Sequence, residues 1–147
     1  MSTRLKMKQV QPGAYVAMGA LDKFVIASSI DPRQRELIKI RASQINGCAY
    51  CVHSHSHDAR KLGETEERLY LIAVWREAKN AFNEEEQLIL AITEEVTLIS
   101  QHGLSDELYN KAIALFGEEK TAQIIMAVIA INAWNRIGVS LKMEPAI

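Results

Sequence analysis

The chain is poor in cysteine and aromatics and has no excess of either charge. Two cysteines in 147 residues cannot form the framework of a disulfide-stapled secreted domain. Lys and Arg total 17 against 18 Asp and Glu, a formal net charge of −1, which leaves no basic footprint for nucleic acid. The longest uninterrupted apolar run, Ile124 to Ile131, falls far short of the about 20 residues a membrane-spanning helix needs. No N-terminal stretch joins basic residues, an apolar run and a small-residue cleavage site. A cytoplasmic location with no membrane and no nucleic-acid partner is therefore expected. Strand signals are nearly missing: Asn46-Gly47 is a hairpin dipeptide, but its flanks repeat with helical rather than alternating spacing. A hydrophobic fraction of 48% marks a globular chain, and the length fits one domain, 1–147.

Helix punctuation is abundant, and it predicts an all-α single-domain bundle of about seven helices. The first spans roughly Pro12 to Ser28, with Tyr15, Met18, Leu21, Val25 and Ile26 on one side. Asp31-Pro32 opens the second, with Gln34 completing a capping box, and Asn46-Gly47 closes it. The third carries the cysteines and stops at Gly63. Thr65 caps a fourth, with Glu66 and Glu67 in its first turn. Asn83-Glu84-Glu85-Glu86 is a capping box for a fifth, which ends at Gly103. Ser105 caps a sixth ending at Gly117, and the last runs from Glu118 to Leu141. Residues 124–131 are apolar around the whole helical circumference, so that segment is either the centre of the core or a subunit interface.

The two cysteines stand in one segment, Cys48-Ala49-Tyr50-Cys51, followed by His53, His55 and His57. On a helix starting at Cys48, the residues Cys48, Cys51 and His55 share one face, with Cys51 and His55 one turn apart. A thiolate there is favoured by the helix N-terminus and by a nearby base. Folding the second helix back on the third at Gly47 brings Glu36 level with His55, because the two lie at nearly equal distances from the turn. A carboxylate on an imidazole fixes its tautomer and raises its basicity. The expected chain is Glu36, His55, Cys51, Cys48: orienter, base, nucleophile and second thiol. Tyr50 and His57 are candidates for the site's lining. His53 and His57 point to other faces and read as surface or entrance residues. Other readings of the cysteines are two buried structural thiols, or a metal site with Cys48, Cys51, His55 and His57 as ligands. Arg60, Arg136, Asn132 and Asn135 read as structural residues that fix helix contacts or an interface. Trp75, Trp134 and Phe116 read as core or interface aromatics.

Glu36, eleven intervening residues, then Cys48-x-x-Cys51-x-x-x-His55 resembles the carboxymuconolactone decarboxylase-like superfamily, in its alkylhydroperoxidase AhpD-like branch. Asp58-Ala59-Arg60-Lys61-Leu62-Gly63 and Ile131-Asn132-Ala133-Trp134-Asn135-Arg136-Ile137 add to the likeness, which spans roughly residues 12–141. The resemblance implies an all-helical fold assembled into trimers or hexamers. The residues themselves show nothing resembling a lipoyl, flavin or haem site, so no cofactor is expected, and no metal on the favoured reading. The resemblance also implies thiol-dependent reduction of hydroperoxides: Cys51 peroxidatic, Cys48 resolving, His55 the base, Glu36 behind it, and an unidentified dithiol as reductant. In the best-known member a histidine precedes the second cysteine; Tyr50 stands there in this chain, and a phenol does not take up a proton at neutral pH. The alternatives are a dithiol–disulfide oxidoreductase acting on a protein or small disulfide, and a metal-binding or redox-sensing module without turnover.

Overall fold

A computed structural model describes residues 4–147. Its helices are α1 (Met7–Val10), α2 (Pro12–Ile26), α3 (Pro32–Asn46), α4 (Ala49–Lys61), α5 (Glu66–Leu71), α6 (Glu84–Thr97) and α7 (Asp106–Ser140), with three short 3₁₀ turns and no strand among the described residues. Local chemistry sets most of the starts. Asp31, Thr65, Asn83 and Ser105 each accept a first-turn amide with a side-chain oxygen. At Asn83 the capping box is complete in both directions, at 2.9 Å each way.

The expectations fail in several places, each for a physical reason. Gln34 does not complete a capping box: its side-chain amide reaches Glu85 on α6 instead, and Asp31 accepts only from Arg33 N. The sequence signals begin the first helix at Pro12, so the short helix α1 ahead of it is unexpected; none of its residues is buried. Cys48 is the N-cap of α4 and not its first helical residue. The fifth predicted helix ends at Thr97, and a 3₁₀ turn over Ile99–Gln101 continues toward Gly103. The predicted break at Gly117 is present as a single residue at φ 77, ψ 174; the helix resumes directly beyond it, so α7 is one long element with a kink.

α3, α4, α6 and α7 pack on one another. One buried cluster joins Val25, Ile38, Ile89, Ile92, Ile124, Val128 and Ile131; a second joins Leu37, Ile40, Ile72, Trp75, Phe82 and Leu90. Each such fully buried aliphatic side chain contributes about 1.5–3 kcal/mol of transfer free energy. α7 is apolar and long enough to cross a bilayer by length and composition. Its run from Ile124 to Ile131 nevertheless fills the core of this chain, with Ile124, Ala127, Val128, Ala130 and Ile131 buried. Only Ile129 of that run is exposed, at 44%, so the run is the central core helix of this chain.

A polar ladder crosses this core beside the cysteines. The Asn46 amide donates to Asn132 Oδ1 and Asn135 Oδ1, both at 2.9 Å. Asn132 donates to Thr97, and Asn135 to the Ser43 hydroxyl. Asn135, at 1% exposed, thus has its donors and acceptors paired, as a buried amide requires. The ladder fixes the register of α7 against the α3–α4 corner. Arg60 donates to Glu64 O in the loop that follows its helix, and Arg136 donates back along α7 to Asn132 O, so Asn132 and Asn135 bridge helices while the two arginines make local contacts.

Candidate functional site

The α3–α4 corner turns at Gly47, whose φ of 68 is the left-handed conformation that ends helices economically in glycine. The corner aims the start of α4 back along α3. Cys48 and Cys51 are joined by a disulfide, with Cα atoms 5.3 Å apart. Cys48 Sγ also accepts from the Cys51 amide at 3.3 Å, so the first sulfur occupies the capping position of α4. Cys48 is 2% and Cys51 5% exposed.

Folding α3 against α4 brings Glu36 to His55, with Nδ1 2.9 Å from Oε2. The other oxygen of Glu36 accepts from Lys39 Nζ at 2.7 Å. Burial alone would push the Glu36 carboxyl up. The hydrogen bond from His55 and the charge and hydrogen bond of Lys39 offset it and hold the group below the ordinary carboxylate range. Glu36 therefore stays ionised at neutral pH and fixes the imidazole by its Nδ1, leaving Nε2 as the free nitrogen. Lys39 had no place in the sequence reading, because an i, i+3 lysine beside a glutamate is common on any helix.

A cavity of about 340 Å³ lies over the disulfide. Cys51 and His55 are in its wall and Cys48 is not. Val25, Ile26, Ala127, Ala130 and Ile131 make it largely apolar; Tyr15, Tyr50 and Trp134 add aromatic faces. Trp134 stands edge-on to Tyr15, with centroids 5.2 Å apart, and its indole N–H donates to Asp22 at 3.0 Å. Trp134 is thus a wall of the cavity, a role its apolar sequence context did not reveal. Tyr50 reaches the cavity; His57 and His53 are exposed and lie outside its lining.

Gly138 on α7 also lines the cavity and packs directly against the disulfide. A Cβ at this position would stand 2.9 Å from Cys48 Sγ and 3.5 Å from Cys51 Sγ. No larger residue fits there without displacing a sulfur. Only the pairing of two elements far apart in sequence makes that requirement, so no local signal announced it.

For metal ions, donor atoms of Glu36, His55 and Asp58 lie within 4.8 Å of one another. Both Glu36 oxygens and His55 Nδ1 are already committed among Lys39, Glu36 and His55, and the lysine brings its own positive charge. In the disulfide neither sulfur is a thiolate, the form a metal would need. This donor set is an ion-pair network and not a preformed cage.

Fold and site together define a helical protein with a cysteine pair at the floor of an apolar cavity. Residues 12–95 match the sequence profile of the Carboxymuconolactone decarboxylase family. The chain belongs to that family. It is similar to the uncharacterized protein YdfG of Bacillus subtilis (strain 168), with 39% identity over 146 residues and 99% of each chain covered. Among solved structures it is similar to an Agrobacterium tumefaciens protein of unknown function proposed to be the antioxidant defence protein AhpD, at TM-score 0.94 and 36% identity, with 99% of each chain covered. It shares its fold with the debrominase Bmp8, at TM-score 0.82 and 22% identity, covering 94% of this chain and 74% of that one.

Proposed function

We propose that the chain is a thiol-dependent peroxidase that reduces organic hydroperoxides. The observation that carries this reading is the asymmetry of the pair: Cys51 faces the apolar cavity beside His55, and Cys48 is buried behind it. In the reduced protein, His55 takes the proton of Cys51, with Glu36 holding the imidazole in position. The Cys51 thiolate attacks the outer oxygen of the hydroperoxide, the O–O bond breaks, and the alkoxide leaves with the proton as an alcohol. The Cys48 thiol then displaces water from the Cys51 sulfenic acid and forms the disulfide. An external dithiol returns two electrons and two protons. The net change is hydroperoxide plus dithiol to alcohol, water and disulfide.

The cavity's apolar wall supports an organic peroxide over a charged substrate. Its size, about 340 Å³, and the burial of both sulfurs disfavour exchange with a disulfide on another folded protein, which would have to reach in from its own surface. Assembly into a homo-oligomer, a cytoplasmic location and the dithiol partner belong to the same proposal and rest on the family likeness. The test is stopped-flow oxidation of the reduced protein by cumene hydroperoxide, followed by intact mass. Loss of two thiols per chain with stoichiometric alcohol supports the reading. Thiols that survive excess peroxide would end it.

A further inference from the structure

A groove of about 520 Å³ runs between the two ends of the described chain, and it shares Tyr15 and Met143 with the wall of the cavity over Cys51. Arg4, Lys6, Lys8 and Lys142 line it against a single acid, Glu144. Four cations against one carboxylate is a local excess of three, on a chain whose net charge is −1. Lys6, Lys8 and Lys142 are exposed, and among the described residues none stands in an ion pair.

The backbone builds this arrangement. Lys142 adopts φ 52, a left-handed conformation uncommon for a residue with a side chain. The turn it makes lets the Met143 amide donate to Gly138 O at 2.9 Å, so the tail folds back toward the disulfide. On the other side the Arg4 guanidinium donates to Ser140 O at 2.5 Å and holds the N-terminal segment against the same end of α7. The cationic residues are thereby gathered beside the cavity mouth.

We propose that this groove docks the reductant, and that the reductant is a small dithiol carrying a carboxylate or another anionic group. This rests on the peroxidase reading, in which the disulfide must be reopened in every cycle. With both sulfurs buried, a reducing thiol must enter through the cavity, leaving the rest of the molecule in the neighbouring groove. One reductant thiolate attacks Cys51 Sγ, the Cys48–Cys51 bond breaks, and Cys48 leaves as a thiolate that takes up a proton. The second reductant thiol closes on the mixed disulfide, freeing the Cys51 thiol and releasing a cyclic disulfide. Exposed unpaired lysines raise the local concentration of an anion and its rate of arrival, and salt screens the effect.

The test compares dihydrolipoate with dihydrolipoamide, which present the same dithiol and differ only in carboxylate against amide. The full-length protein is first oxidised with diamide, so reduction is measured whether or not a peroxide is the natural oxidant. At low ionic strength dihydrolipoate should reduce the disulfide at least about threefold faster, and high salt should abolish the difference. In Lys6→Gln/Lys8→Gln/Lys142→Gln the ratio of the two rates should fall to about one. Lys6→Gln/Lys8→Gln, which leaves the turn at Lys142 intact, should lose part of the preference. Equal rates in the natural sequence, or a preference that survives the triple substitution, would overturn the assignment. Failure of a peroxide to oxidise the reduced protein would instead strike the peroxidase reading alone.

Discussion

Glu36 on α3 and Glu94 on α6 are two buried carboxylates with contrasting partners. Glu94 accepts from Arg41 Nε at 2.8 Å and from the Trp75 indole at 2.9 Å, and pairs with Arg76. Burial pushes it up, and the donors from Trp75, Arg76 and Arg41 more than offset this, holding it below the ordinary carboxylate range. Glu36 is held low in the same way, by an imidazole and an ammonium. Guanidinium and indole groups keep their protons throughout the working pH range, so the Glu94 cluster can only hold α3, α6 and the Trp75 turn together. An imidazole can both accept and donate a proton through its ring nitrogens, and His55 shares its cavity wall with a cysteine sulfur. Comparable burial and the same direction of shift therefore do not separate a structural carboxylate from the one proposed to act in the site; the chemistry of the partner is what sets them apart.

The sharpest way to break this contrast is to remove what lies at the end of each chain of contacts. Cys51→Ser should abolish peroxide turnover with the fold intact, read by peroxide consumption and circular dichroism. His55→Ala should slow thiol oxidation by about 10²-fold or more, the usual cost of a lost general base. Glu94→Gln should do the reverse: little change in the oxidation rate, but a loss of about 2–4 kcal/mol in denaturant unfolding, because two guanidiniums and an indole lose their acceptor charge. Gly138→Ala tests the packing of α7 on the disulfide. Its methyl group would crowd Cys48 Sγ at 2.9 Å, so disulfide closure should slow and sulfenic acid on Cys51 should persist long enough to trap. The smallest effect concerns pH. Both carboxyls are lower in the folded chain than their ordinary value of 4.5, so the unfolded chain binds more protons there. Stability should be fully present above 4.5 and fall as the pH drops through the folded-state values, less steeply in Glu94→Gln than in the natural sequence.

What the sequence disclosed follows from the range of the interactions. Caps at Asp31, Thr65, Asn83 and Ser105 are satisfied within three residues, so they could be read directly. Glu36 and His55 lie 19 residues apart across a single turn, and helical rise alone brings them level. The Trp134–Asp22 bond spans 112 residues and the Asn46–Asn135 bond 89; pairs so distant leave no periodic trace. Gly138 belongs to the same class, since its lack of a side chain matters only because α7 crosses the disulfide. Gln34 went wrong for the complementary reason: a side chain that fits a local cap found a distant acceptor in Glu85.

In the proposed relay Glu36 acts through His55 on Cys51, and Glu94 does not. The relay is tested most directly by the pH dependence of the second-order rate constant for thiol oxidation in the natural sequence, Glu36→Gln and Glu94→Gln. A carboxylate behind the imidazole makes it a better acceptor of the thiol proton. Glu36→Gln should therefore shift the rising limb of the profile to higher pH, and Glu94→Gln should leave that limb in place. A Glu36→Gln profile that superimposes on the natural one, or a Glu94→Gln profile displaced as far, would rule out the Glu36–His55–Cys51 relay.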